Sequence, residues 1–243
     1  MKARSKKTLG YDEINLNLGC PSGTVVGKGK GAGLLAEPSR LDRFLSEIYA
    51  DSPVEISIKT RLVMEDPAEF DDLLRVFNRH PVLRLIVHAR VRTDFYQGQP
   101  RMEGFEKALL QSRAPVCYNG DLWNEERIFA FQKRYPEAES VMCGRGFLLH
   151  PDLMNRVRGV AIPMPASLRV FHDRLYTGYR AELAQTAFVL NKMKEVWSEL
   201  GAGQGLSPKA LKRIRKANGY ESYEEAVRAA FDELSDAAAK PEA

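Results

Sequence analysis

The sequence predicts an α/β protein built on a parallel sheet and followed by an all-helical C-terminal segment. Three observations carry that expectation. Short runs rich in Ile, Val and Leu recur five times between Ile14 and Cys143. A stretch of helical periodicity follows each run, and strand–helix alternation of this kind calls for parallel strands with helices outside them. From about Pro165 onward the strand signals stop and only helical periodicity remains.

The chain has 243 residues, room for one large domain or for a medium domain with a small one attached. At 44% hydrophobic and 28% charged it has the composition of an ordinary globular protein. No run approaches the roughly 18 apolar residues that span a bilayer, and the start M-K-A-R-S-K-K-T has no apolar leader, so the expected compartment is the cytoplasm and no membrane partner is expected. Cys20, Cys117 and Cys143 lack metal-ligand spacing and cannot all pair, which argues against a disulfide framework and against a metal site. No obligate protein partner is evident. The net charge of +4 is mild, but residues 168–218 hold ten Lys/Arg against four Asp/Glu, a concentration that suits a polyanion.

Taken in order, residues 1–10 read as a basic segment ending at Gly10. Ile14, Leu16 and Leu18 alternate with Asn15 and Asn17 as a buried strand that stops at Gly19, so Cys20 lies just past its C-terminal end. Pro21 and the glycines at 23, 27, 29, 31 and 33 are expected to keep the next segment irregular and open to a ligand or a nucleic-acid backbone. Pro38–Ala50 is predicted helical with Ser39 as its cap. The next strand, Val54–Ile58, is expected to end in Lys59, Thr60 and Arg61, and Glu69–Asn78 to be helical. Leu83–Val87 is a strand ending in His88, Ala89 and Arg90, and a loop with Tyr96 and Gly98 leads to a helix over Glu103–Gln111. Pro115–Tyr118 ends in Asn119, Gly120 and Asp121, Asn124–Arg134 is helical, and Ser140–Cys143 ends in Gly144, Arg145 and Gly146.

Beyond Pro165, Ser167–Leu200 reads as one long helix, broken at Gly201 to Gly205. A second helix opens at Ser207-Pro208 and carries Lys209, Lys212, Arg213, Arg215 and Lys216. A third starts at Ser222 with a capping box to Glu225. The expected division is 1–164, 165–236 and a disordered tail at 237–243.

Each of the five strands therefore ends in polar or glycine residues, and parallel α/β folds build their sites at the C-terminal ends of strands. Singly, these residues have ordinary structural readings. Cys20 can be a buried thiol, Lys59 and Arg61 a solvated strand end, His88 a hydrogen-bonded core residue, and N-G-D a turn. The five helical cations can equally be a solvated face. Five strands delivering such residues to one rim is the stronger signal.

In order, N-L-G-C-P (Asn17–Pro21), the glycine-rich loop to Gly33, I-K-T-R (Ile58–Arg61), V-H-A-R (Val87–Arg90), Y-Q-G (Tyr96–Gly98), N-G-D (Asn119–Asp121) and G-R-G (Gly144–Gly146) resemble the tRNA-dihydrouridine synthases. That resemblance implies a (β/α)₈ barrel of the TIM type followed by a helical tRNA-binding domain. It also implies FMN as cofactor, NADPH as reductant and tRNA as substrate. It makes Cys20 the general acid for C5 of the target uracil, with hydride arriving at C6. Asn17 would help to hold flavin and uracil. Lys59 would stabilise the flavin N1/O2 edge, and His88 would line the pocket. Arg61 and Arg90 would contact substrate, and Asn119, Gly120, Asp121, Gly144 and Arg145 would form the FMN phosphate side. Lys209, Lys212, Arg213, Arg215 and Lys216 would meet tRNA phosphates.

The family's N-C-P strand is the fourth of eight, so only strands 4–8 are expected here, with poor FMN retention by the 243 residues as the consequence. Two other readings share these residues: a remnant that binds RNA without catalysis, and a flavin barrel acting on a small molecule. Bound yellow chromophore tests the first and tRNA-independent turnover the second.

Overall fold

The structure, a computed structural model, describes residues 10–161 and 166–239. The basic segment 1–9, the expected boundary at 164 and 165, and the tail at 240–243 lie outside the described residues. The chain divides into two compact units, one holding the chain up to Asp121 with Ala130–Met142, the other Leu122–Phe129 with the chain from Cys143.

In the first unit five strands form one sheet: β1 (Glu13–Asn17), β2 (Glu55–Arg61), β3 (Leu85–His88), β4 (Val116–Asn119) and β5 (Ser140–Met142). They lie in sequence order, and every neighbouring pair is parallel. The connections run through α1 (Gly23–Val26), α2 (Pro38–Asp51), α3 (Phe70–Phe77), α4 (Met102–Gln111) and α5 (Glu125–Arg134). Because parallel crossovers share one hand as a rule, strands added always on the same side carry their connections on one face of the sheet.

Register shows how different the two faces are, because residues paired across parallel strands point the same way. One face carries the rows Leu16, Ile58, Leu85, Val116 and Thr60, Val87, Tyr118, Val141. This is the packed face: Tyr118 stacks on Phe131 of α5 at 4.2 Å and meets Phe105 of α4 edge-on at 4.9 Å. The other face carries Asn17, Lys59, Ile86, Cys117 and Ser140 in one row and Arg61, His88, Asn119 and Met142 in the next. Parallel sheets are ordinarily apolar on both faces, so a row of this composition is a local departure that points to function.

Several expectations are corrected. Lys59 and Arg61 lie within β2, because Lys59 to Arg61 pair with Ile86 to His88 and extend the ladder past Ile58. β1 alternates exposed and half-buried residues and is not a buried strand, since within the described sheet only β2 flanks it. The glycine-rich segment is not irregular: α1 and a 3-10 stretch at Gly31–Ala36 occupy most of it. Ser39 does not cap α2, which starts at Pro38 with Glu37 before it.

The second unit holds α6 (Arg145–Leu149), α7 (Leu153–Val157), α8 (Ala166–Glu182), α9 (Thr186–Gly203), α10 (Pro208–Lys216) and α11 (Tyr220–Ala238). The single helix expected over 167–200 is two. The chain breaks at Gln185, which takes an extended conformation, and α8 and α9 then share one core with α10 and α11 through Leu168, Tyr176, Met193, Trp197, Ile214 and Phe231. A single straight helix would leave that apolar stripe uncovered. Ser222 is not the first cap of α11, which begins after Gly219; its hydroxyl accepts the Gly219 N–H at 3.3 Å, and Glu225 pairs with Arg213 at 3.1 Å. The helix runs through Ala238, two residues into the stretch read as tail.

At the centre of this core Tyr223 is fully buried, and its hydroxyl lies 3.0 Å from Trp197 Nε1 and 2.8 Å from His172 Nε2. An indole N–H can only donate, so the tyrosine oxygen accepts from Trp197 and gives its own proton to His172. His172 is therefore neutral with its hydrogen on Nδ1, directed to Asp173 Oδ1 at 2.8 Å. Burial also lowers its pKa, against the pull of Asp173.

Candidate active site

The polar sheet face supplies the floor of the candidate site. Lys59, in register with Asn17 on one side and Ile86 on the other, is half-buried and has no hydrogen-bond partner among the described residues. Desolvation, with the charge of Arg61 second, pushes its pKa down to about 8. A partly desolvated, unpaired ammonium disfavours the fold, so its presence argues for a ligand that brings the partner. Deeper on the same face, Asn15 Nδ2 donates to Ser57 Oγ at 2.8 Å and Ser57 donates to Glu13.

Cys20 stands at the rim. The strand end is turned by Asn17, whose Oδ1 accepts the Gly19 N–H at 3.1 Å. The glycine loop then returns onto the cysteine: Ala32 N–H donates to the Cys20 carbonyl at 3.0 Å, and a Cβ at Gly31 would lie 3.0 Å from Cys20 Cβ. Gly31 has φ +54°, so this close approach requires glycine. The thiol is free and half-buried.

Arg61 and Arg90 are almost wholly buried, at 1% and 0% exposure. Arg61 donates to the carbonyls of Gly19 (3.0 Å), Val91 (3.0 Å) and Phe95 (2.6 Å). Arg90 donates to those of Gln97 (3.1 Å) and Gly98 (2.5 Å) and makes a two-point contact with Asp121 at 3.0 and 2.6 Å. Its remaining contact is to His88 Nε2 at 3.2 Å; a guanidinium only donates, so the imidazole accepts there and holds its hydrogen on Nδ1. The two arginines thus pin 91–98 from below, and they do so across strained backbone. Phe95 sits at φ 48°, ψ −101°, and Asp121 at φ 47°. The exposed Tyr96 ring lies over Arg61 at 5.3 Å and 6.0 Å from the His88 ring.

Asn119, in register with His88, donates Nδ2–H to the Met142 carbonyl at 2.8 Å, and Gly120 follows with φ 150°. In the second unit Gly144 precedes α6, and the Arg145 guanidinium lies 4.9 Å over the Trp123 ring. Lys209, Lys212, Arg213, Arg215 and Lys216 are all exposed on or beside α10.

The structure brings Asn17, Lys59, Arg61, His88 and Asn119 onto one face, with Cys20 at its edge. Sequence reasoning missed Asn15, Ser57 and Cys117, which share that face; their even spacing from Asn17, Lys59 and Asn119 was the available signal. It missed the pinning of 91–98 altogether. Chemically, the face offers a cation without a partner, neutral donors and acceptors, and a proton-bearing thiol at one rim.

Comparison with known proteins identifies the family. The family model "Dihydrouridine synthase (Dus)" matches residues 2–242. A probable tRNA-dihydrouridine synthase 1 of Synechocystis is 30% identical over 159 residues, covering 64% of this chain and 44% of that protein. A tRNA-dihydrouridine(16) synthase of Ralstonia nicotianae is 31% identical over 166 residues, covering 68% of this chain and 51% of that protein. The chain spans about half the length of the curated relatives it matches. On the family match across nearly all of its length, the chain belongs to the dihydrouridine synthase family.

Proposed function

We propose that the chain acts in the FMN-dependent reduction of the C5–C6 bond of uridine in tRNA, with NADPH as reductant and within a (β/α)₈ barrel architecture. The observation that carries the reading is Lys59, a desolvated ammonium with no partner among the described residues, on a sheet face whose rim bears a free thiol. Such a donor set fits a flavin: Lys59 would hold its electron-rich N1/O2 edge, His88 would line the pocket, and Asn119, Gly120 and Asp121 would serve its phosphate side. The phosphate roles of Gly144 and Arg145 rest on the family resemblance alone.

When bound, FMN supplies the hydride for C6 of the base. Cys20 gives its proton to C5, which neutralises the anion that hydride addition leaves there. Asn17 keeps the Cys20 turn in place and faces the base. Arg61 and Arg90 act by holding 91–98 and Asp121 in position rather than by touching substrate. The target uridine must leave its stack to reach the floor, and Lys209, Lys212, Arg213, Arg215 and Lys216 would meet the RNA phosphates meanwhile.

The test is an absorbance spectrum from 300 to 550 nm of the purified chain after mixing with FMN and desalting, followed by dihydrouridine analysis of tRNA. Weak flavin retention by these 243 residues, with dihydrouridine formed by the parent chain in excess FMN and lost in Cys20→Ala, is the expected result. Flavin turnover independent of tRNA, or dihydrouridine formation undiminished in Cys20→Ala, would overturn the assignment.

A further inference from the structure

The G-K-G-K-G stretch from Gly27 to Gly31 has no part in the chemistry above, yet it rests on Cys20. Lys28 and Lys30 are exposed there, and Lys30 immediately precedes the Gly31 that packs on Cys20. A third cation joins them from α2. The Arg40 guanidinium lies along the loop backbone at Gly29, where a Cβ would fall 2.6 and 2.8 Å from its two terminal nitrogens. Gly29 also holds φ +61°, so the turn itself depends on the missing side chain. Among the described residues the acidic group in contact is Glu37, which accepts from Arg40 Nη1 at 3.2 Å. Both partners are exposed, and a pair of that kind is weak enough to give way to a phosphate.

We propose that Lys28, Lys30 and Arg40 form a phosphate-contacting surface for the RNA strand flanking the target base. This deepens the functional reading above and rests on it. Phosphate contacts set register and orientation without reading sequence, and a base drawn out of its stack needs its flanking backbone held. The three cations are exposed and spread along a loop, an arrangement that suits a repeating polyanion better than one small anion enclosed by donors. They are far in sequence from the five cations of α10, and the loop that carries two of them packs on Cys20 through Gly31.

The test is tRNA binding by the full chain across a salt series, comparing the parent with Lys28→Ala/Lys30→Ala and with Arg40→Ala. These side chains are exposed, and circular dichroism with the rate of Cys20 alkylation checks that the fold and the rim are intact. The double variant should bind several-fold more weakly at low salt, to a similar degree for different tRNAs. Its slope of log K against log salt should fall by about 1.5, at roughly 0.7 to 0.9 for each phosphate no longer neutralised, and Arg40→Ala should remove about half as much. Unchanged affinity and slope in the variants, with the parent binding normally, would overturn this surface alone. A loss seen for uridine monophosphate but not in the salt slope would replace it with a small-anion site. Salt-independent or absent tRNA binding by the parent would remove the functional reading and this surface with it.

Discussion

Replacing Lys59 by methionine should make the chain more stable at neutral pH, although it removes the residue at the centre of the candidate site. The ordinary lysine pKa of 10.5 falls to about 8 in the fold, chiefly through desolvation. At about 1.4 kcal/mol per tenfold, that difference places on the order of 3 kcal/mol of strain on the charged form. The strain is present in full below pH 8, where lysine is protonated in both states. Between 8 and 10.5 the unfolded chain binds more protons than the folded one, so parental stability rises with pH through this window. Lys59→Met should therefore gain about 1 to 3 kcal/mol in urea unfolding at pH 7, and the gain should shrink to nothing by about pH 10.5. A variant less stable than its parent at pH 7, or a gain flat from pH 7 to 10.5, would refute the view that this ammonium lacks a partner. Binding should move the other way, since a site that stores strain for its ligand trades stability for function.

Further outcomes follow from other residues. Arg61→Met leaves the carbonyls of Gly19, Val91 and Phe95 without a donor and should lower stability by about 2 to 4 kcal/mol, with amide hydrogen exchange rising first in 91–98. Tyr223→Phe strands the Trp197 N–H and His172 Nε2 in the helical core and should remove about 1 to 3 kcal/mol in urea unfolding. His172 has a folded pKa below its ordinary value, so its contribution is complete above about pH 6.5 and is lost as pH falls toward the lower folded value; acid unfolding of a His172→Phe variant should lack that phase. Phe105→Ala, with no exposed surface and three aromatic neighbours, should cost about 3 to 5 kcal/mol by calorimetry.

The strands were legible because one face of the sheet is apolar: Ile56, Ile58, Leu85, Val87 and Val116 gave clear runs. Their ends were misplaced for a related reason. Lys59, Arg61, His88 and Asn119 look like loop residues in a sequence, yet they are ladder residues pointing toward the polar face. Composition likewise misled at Gly23–Ala36, where glycines make room for Cys20 and Arg40 while short helical turns still form. The break near Gln185 has no glycine or proline to announce it; packing of α8 and α9 around Tyr176, Met193 and Trp197 decides it. The thiol, the lysine and the histidine were visible as candidates. That Arg61 and Arg90 serve five loop carbonyls was not, because convergence of carbonyls belongs to the folded backbone.

The sequential parallel order also has a kinetic consequence. Each strand meets its neighbour only after a crossover loop has closed, and no hairpin gives the sheet a local start. Asn17, Lys59, His88 and Asn119 come from four such segments, so the face they share exists only when three successive closures are complete. Helices α8 to α11 close their backbone hydrogen bonds within each segment and should gain structure sooner, while their shared core, which joins residues as distant as His172 and Tyr223, consolidates later. In a refolding experiment, helical signal should therefore appear ahead of any property of the site, and ligand binding at Lys59 should mark one of the last events along the chain's path to its native state.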